Sequence, residues 1–207
     1  MPPKVKFLKE EIVSAAVAVV RRKGIDALTA REVAAELGVS TRPIFTYFDS
    51  MDQLRGEVYG CAKALYQDYI LRGLAEPIPN LGVGRAYIRF AKEEPALYRL
   101  LYLTKPDNAV GGAMEALKLS QDLVRDSVMQ VYHMDEETAD SYFRDLWLVA
   151  FSIATLIVTD ECPYTDEEIG KIFTEVSLSI CKAFKEIPGL PRGDYDRDAI
   201  FRSLVQK

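Results

Sequence analysis

Apolar residues recur at three- and four-residue spacing along almost the whole chain, and strict apolar–polar alternation of useful length is absent. That period belongs to amphipathic helices. Leu8, Ile12, Ala15, Ala16, Val19 and Val20 form the first stripe. Arg21, Arg22 and Lys23 then complement the helix dipole, and Gly24 ends the helix. Thr29, with Glu32 three residues on, predicts the cap of a second helix whose inward face is Val33, Ala34 and Leu37. Gly38 stops it. Ser40 predicts the next cap, with a third helix over Thr41 to Tyr47 and Pro43 in its first turn. Ser50 and Gln53 open a fourth helix that runs to about Gly73, with a stripe of Leu54, Val58, Cys61, Leu65 and Tyr69.

The segment Glu76 to Asn80 (EPIPN) interrupts the pattern. Beyond it the spacing predicts helices near 81–94, 95–104, 112–134, 136–160, 165–186 and 194–205, separated by prolines and glycines. The expected fold class is therefore all-α: an N-terminal three-helix unit followed by a helical C-terminal domain. The expected division is 1–52 and 53–207, with a linking helix at about 52–73.

A chain of 207 residues, 49% hydrophobic, is large enough for a real core. Its net charge of −5 is uneven: residues 1–60 carry +1 and the remainder −6. A wholly basic nucleic-acid coat is excluded, and any DNA contact belongs to the head. Cys61, Cys162 and Cys181 are scattered, and His133 is the only histidine, placed by its neighbours at a helix end. Neither a disulfide framework nor a zinc site is expected, nor any cofactor. Enzyme chemistry finds no support. No paired His/Asp/Glu cluster or nucleophile elbow occurs, and Gly82-Val83-Gly84 lacks the third glycine of a phosphate loop. The longest uncharged apolar run, Leu146 to Thr159, falls short of the roughly 18–20 residues that span a bilayer. The first residues lack the apolar core of a secretory signal. A cytoplasmic protein with no membrane partner is expected.

Chemistry concentrates between Leu28 and Leu54. Two short helices joined by a tight turn are the device that lowers one helix into the major groove. Thr29 offers a hydroxyl and a helix start to phosphate oxygens. Arg31 and Arg42 carry guanidiniums that can bond O6 and N7 of guanine together. Ser40 and Thr41 open the third helix, and Thr46 and Tyr47 lie one turn on, suited to a phosphate or a thymine methyl. Ile44 and Phe48 are expected to turn inward.

Thr29, Arg31, Val33, Ala34, Leu37, Gly38, Val39, Ser40, Ile44, Phe45, Tyr47, Phe48 and Leu54 stand where TetR-type (TetR/AcrR) transcriptional regulators carry their N-terminal motif. The stretch resembles that family's DNA-binding domain over about the first 60 residues. Two positions depart. Phe45 replaces the usual tyrosine and Met51 the usual lysine, each removing a phosphate contact. The remaining affinity then falls on Arg31, Arg42 and the N-terminal Lys4, Lys6 and Lys9. The alternative is a helical dimeric scaffold or small-molecule-binding protein with weak or lost DNA binding.

The resemblance implies a C-terminal domain that dimerises and encloses a ligand pocket. The segment Ala86 to Tyr102 resembles a subgroup whose later helix carries Trp followed by His-Gly; here Trp147 is present, but Phe151 and Ser152 stand at the His-Gly positions. Candidate pocket residues are Tyr87, Phe90, Tyr98, Leu101, Tyr102, Leu123, Trp147 and Phe151. The helix near 136–160 is apolar on two faces and must bury both. One stripe, Tyr142, Leu146, Val149, Ile153 and Leu156, is the candidate dimer interface, joined by Ile169, Phe173, Val176 and Ile180 of the next helix. The implied function is a ligand-responsive repressor that binds a palindromic operator as a homodimer. A small apolar or aromatic effector releases it.

Overall fold

The first stripe folds as α1, Lys9–Lys23, which buries Ile12, Ala16, Val19 and Val20. The computed structural model describes residues 7–205. α2, Ala30–Leu37, starts on Thr29, whose hydroxyl accepts from the Glu32 amide at 3.2 Å. Gly38 ends it in the left-handed conformation that glycine adopts without strain. The third helix is shorter than the spacing predicts. α3 spans Ile44–Tyr47, and Ser40 does not cap it. Residues Thr41 to Pro43 instead form a tight turn, in which the Ile44 amide donates to the Thr41 carbonyl. Pro43 has no N–H to give, and its ring disfavours helical geometry at Arg42, so regular helix begins only behind it.

α4, Met51–Leu74, is capped by Ser50 as expected. Its buried line is Leu54, Val58, Ala62, Tyr66 and Ile70, while Cys61 is exposed. The line steps by four because α5 (Pro79–Glu93) crosses that side, putting Phe90 against the Tyr66 ring at 5.3 Å. At the crossing the backbones touch: a Cβ on Gly82 would stand 2.1 Å from the Gly73 carbonyl oxygen. α6, Pro95–Tyr98, continues into a π-helical turn over Arg99–Leu103. α7 (Ala113–Tyr132) ends at His133, which is exposed and left-handed at φ 53°. α8 (Glu136–Val158) and α9 (Asp166–Glu186) start on the caps Asp135 and Thr165, and α10 covers Arg197–Val205. Among the described residues there is no strand. By length and composition α8 is the one helix among the described residues apolar enough to cross a membrane, and here Tyr142, Trp147, Ala150 and Ile153 are buried within the fold.

The centre of the body is aromatic. Tyr66, Tyr87, Phe90, Tyr98 and Tyr102 meet at ring separations from 4.7 to 6.1 Å. Edge-on contacts of this kind add about 0.5–1.5 kcal/mol each beyond area burial. The Tyr66 hydroxyl pairs with Ser120 Oγ at 2.6 Å, and burial pushes its pKa up to about 12. Burial also raises Tyr87 and Tyr102 well above the usual phenol value, and Tyr98 and Tyr142 in the same direction. In the unfolded chain these phenols ionise near pH 10. Their contribution is complete below that pH and is lost as the pH rises toward the folded-state values. The thermal midpoint is accordingly expected to fall steeply between pH 10 and about 12. Tyr66→Phe, which removes one titrating hydroxyl, should make the fall shallower. A flat profile across that window would contradict the burial described.

Candidate functional site

α2, the turn and α3 rest on Val33, Ala34, Ile44 and Phe48, all buried against α1 and α4. This leaves Thr29, Arg31, Ser40, Thr41, Arg42, Phe45, Thr46 and Tyr47 exposed. Arg22 and Lys23 are committed to Glu36 and Glu32, whereas Arg31 and Arg42 form no ion pair among the described residues. Phe45 is 52% exposed, an apolar ring with no core to fill. Two hydroxyls are already engaged. Thr46 donates to the Arg42 carbonyl at 3.1 Å, and Tyr47 donates to the Phe7 carbonyl at 2.7 Å. Phosphate oxygens only accept, so neither proton is available to them in this arrangement. The Thr46 methyl remains free for a thymine, and Tyr47 ties the N-terminal segment to α3. Lys9 is likewise committed: it pairs with Glu57 of α4 and lies 5.4 Å over the Phe48 ring. Lys4 and Lys6 lie outside the described residues.

Ion pairs join this head to the body. Arg21 at the end of α1 forms a bidentate pair with Glu94, both contacts at 2.8 Å, at the corner between α5 and α6. The linking helix α4 is held to the body in turn, where Arg55 pairs with Asp107 at 2.9 Å. The α6 corner leads within four residues to Tyr98, and then to Tyr102, whose ring lies 6.2 Å from Trp147. A chain of packed groups therefore runs from α1 to the interior of the body.

That interior holds a small apolar chamber of about 40 Å³ between α4, α5, α8 and α9. Two expected pocket residues, Tyr87 and Trp147, line it together with Tyr66, Asn80, Leu81, Val83, Gly84, Tyr142, Phe143, Leu146, Ala150, Phe173 and Ser177. The other six do not. Phe90, Tyr98 and Leu101 are fully buried core. Tyr102 packs beside the chamber, Phe151 stacks behind Trp147 at 5.1 Å, and Leu123 is half-buried on α7. The Tyr142 hydroxyl and Ser177 Oγ satisfy each other at 2.6 Å. The Trp147 indole N–H has no partner, although the residue is only 5% exposed. The Asn80 amide nitrogen faces the Tyr142 hydroxyl outside ordinary hydrogen-bond geometry and has no other partner among the described residues. Asn80 follows a proline at a helix start, and that local signal alone did not mark it.

Part of the stripe expected at a dimer interface lies inside the chain. Tyr142, Ile153, Ile169 and Phe173 are buried, and Leu146 lines the chamber. Val149, Leu156, Val176 and Ile180 are half-buried. The outward apolar positions on these helices are Leu148, 50% exposed, and Leu178, 66% exposed. Both faces of α8 are apolar, and α5, α7 and α9 cover the one the periodicity assigned to a partner.

A head with an exposed helix-turn-helix face, joined to a helical body with an internal chamber, defines a two-part, ligand-responsive DNA-binding regulator. Residues 12–58 match the bacterial regulatory proteins of the tetR family, and residues 81–177 match the tetracyclin repressor-like C-terminal domain. The chain belongs to the TetR family of transcription regulators, whose members bind DNA and are not enzymes. No curated protein sequence matches it. Solved structures do. A protein of unknown function from Rhodococcus sp. RHA1 is 19% identical with a TM-score of 0.67, covering 88% of this chain and 98% of its own. A TetR variant from Acinetobacter baumannii AYE in complex with minocycline is 14% identical with a TM-score of 0.56, covering 87% and 97%. The multidrug binding protein EbrR complexed with malachite green is 19% identical with a TM-score of 0.57, covering 84% and 98%. At these identities the likeness is one of fold.

Proposed function

We propose that this regulator is a repressor: a homodimer that holds a palindromic operator and releases it when a small molecule enters the chamber around Trp147. Residues 1–52 are the DNA-binding part and 53–207 the effector and dimerisation part, with α4 linking them. The observation that carries this reading is the unpaired Trp147 N–H inside an apolar chamber. A buried donor without a partner costs on the order of 1–3 kcal/mol, and a ligand that accepts from it recovers that energy. Two structural neighbours, complexed with minocycline and malachite green, support the same reading.

The size of the chamber supplies the mechanism. About 40 Å³ admits a water or two, whereas small-molecule sites occupy roughly 300–1,000 Å³. An effector therefore has to push α8 and α9 away from α5. Tyr87, Tyr98 and Tyr102 pack against one another, and Tyr102 against Trp147, so the displacement reaches α6, Glu94 and Arg21. Two α3 helices must stand about 34 Å apart to read successive major grooves, and a moved α1 and α4 spoil that spacing. The partner copy sits on the face marked by Leu148 and Leu178, flanked by half-buried Phe151, Val149 and Leu156.

The test combines sedimentation with a mobility shift on the DNA upstream of the chain's own gene. The expected mass is twice the 23.3 kDa of one chain. The expected shift requires both halves of an inverted repeat, and a transcription assay should show loss of expression on binding. Because the coupling is reciprocal, an effector that lowers operator affinity must bind more weakly in the presence of operator, by the same factor. A monomer that binds a single half-site, or effector affinity that ignores operator, refutes the scheme.

A further inference from the structure

We propose that the effector is an amphipathic acid, an apolar body bearing a carboxylate or similar anion, admitted between α5 and α9 past the ring of Phe173. This rests on the chamber being the effector site.

Outside the chamber lies a cleft of about 400 Å³ between α5 and α9. Leu81 and Phe173 line both spaces and so stand between them. The Phe173 ring lies over Gly84, 3.7 Å from where a Cβ would stand. Glycine there gives the ring a flat seat and no side chain to lock it in place. Rotating the ring outward joins the chamber to the cleft and creates the volume that the chamber lacks.

The polar groups along this path all ask for the same chemistry. Ile88 and Ile169 form an apolar floor in the cleft, and the charged groups around them are Arg85, Arg89, Lys92, Glu93 and Asp166. Four of these are committed: Arg85 to Glu76, Lys92 to Asp166, and Glu93 to the Tyr69 hydroxyl. Arg89, exposed on α5, forms no ion pair among the described residues. Among the described side chains that line the chamber, the unpaired groups are the Trp147 N–H and the Asn80 amide nitrogen, both donors. From rim to chamber, the unsatisfied groups are one cation and two donors. An acid supplies acceptors and charge to them. A lipophilic cation meets only carboxylates that already have partners.

Trp147 is the sole tryptophan, so its emission reports occupancy of the chamber directly. Decanoate, 1-decanol and decylammonium share one chain and differ in head group. Decanoate is expected to change the emission saturably, with a dissociation constant at least tenfold below that of decanol, and decylammonium is expected to bind weakest. Arg89→Glu should raise the decanoate constant to the decanol value or above and leave decanol unchanged. Circular dichroism would verify that the variant keeps its helices. Equal affinity for decanol and decanoate, tighter binding of decylammonium, or indifference of decanoate to Arg89→Glu overturns the acid and leaves the chamber standing. Silence of Trp147 toward all three probes overturns the chamber itself, and the proposal with it.

Discussion

Gly82→Ala is expected to destabilise the fold by about 2–3 kcal/mol, which lowers the thermal midpoint by roughly 4–12 °C for a chain of this size. Helix propensity alone argues the other way, since alanine is better than glycine in a helix interior by about 1 kcal/mol. Geometry decides between them. The added Cβ would stand 2.1 Å from the Gly73 carbonyl oxygen and 2.9 Å from the Glu76 Cβ. The first neighbour is backbone, so no rotamer change relieves the clash. α4 and α5 must separate, and the contacts of Tyr66 with Tyr87 and Phe90 lie in that same interface. Gly170→Ala is the control. It sits in α9 with nothing within 4 Å of its Cβ position, so it should gain up to about 1 kcal/mol from propensity. Thermal unfolding of the two variants checks both signs. A Gly82→Ala midpoint at or above the parent's would show that the helices do not cross this closely.

The same contrast between local and distant causes explains which features were legible in the sequence. Caps and stops are written within a few residues. Thr29 with Glu32, Gly38 and Ser50 all act where the spacing placed them. The exposed DNA face was legible for the same reason, because Ile44 and Phe48 had to turn inward and the remaining positions had nowhere else to go. The shortened α3 was a missed local signal: the effect of Pro43 on its predecessor outweighs the hydroxyl of Ser40. The chamber was largely illegible. Its walls bring Asn80, Gly84, Phe143 and Phe173 together from three helices, and no spacing along the chain encodes that meeting. The burial of part of the dimer stripe within its own chain has a related cause. A helix apolar on both faces states that two surfaces are covered, but not which one its own chain covers. Leu148 and Leu178 became visible as the open positions only once α5, α7 and α9 were in place.

Committed and uncommitted cations sharpen the expectation for DNA. Arg22, Lys23 and Lys9 all hold carboxylates of the protein itself. Arg42, exposed at the turn before α3, holds none among the described residues. A guanidinium bidentate to guanine discriminates by about 1–3 kcal/mol, so Arg42→Ala is expected to weaken operator binding by about 5- to 150-fold. The loss on unrelated DNA should be much smaller, because a base contact vanishes there with or without the side chain. A phosphate contact behaves differently: its removal weakens every sequence alike and lowers the salt slope by about one. Lys9→Ala, whose ammonium is already neutralised by Glu57, should change neither affinity nor slope appreciably. Titration of operator and scrambled DNA at several salt concentrations separates these cases. Equal losses on both DNAs for Arg42→Ala would move that residue from base reading to backbone contact, and Arg31 would then be the remaining arginine able to specify the operator.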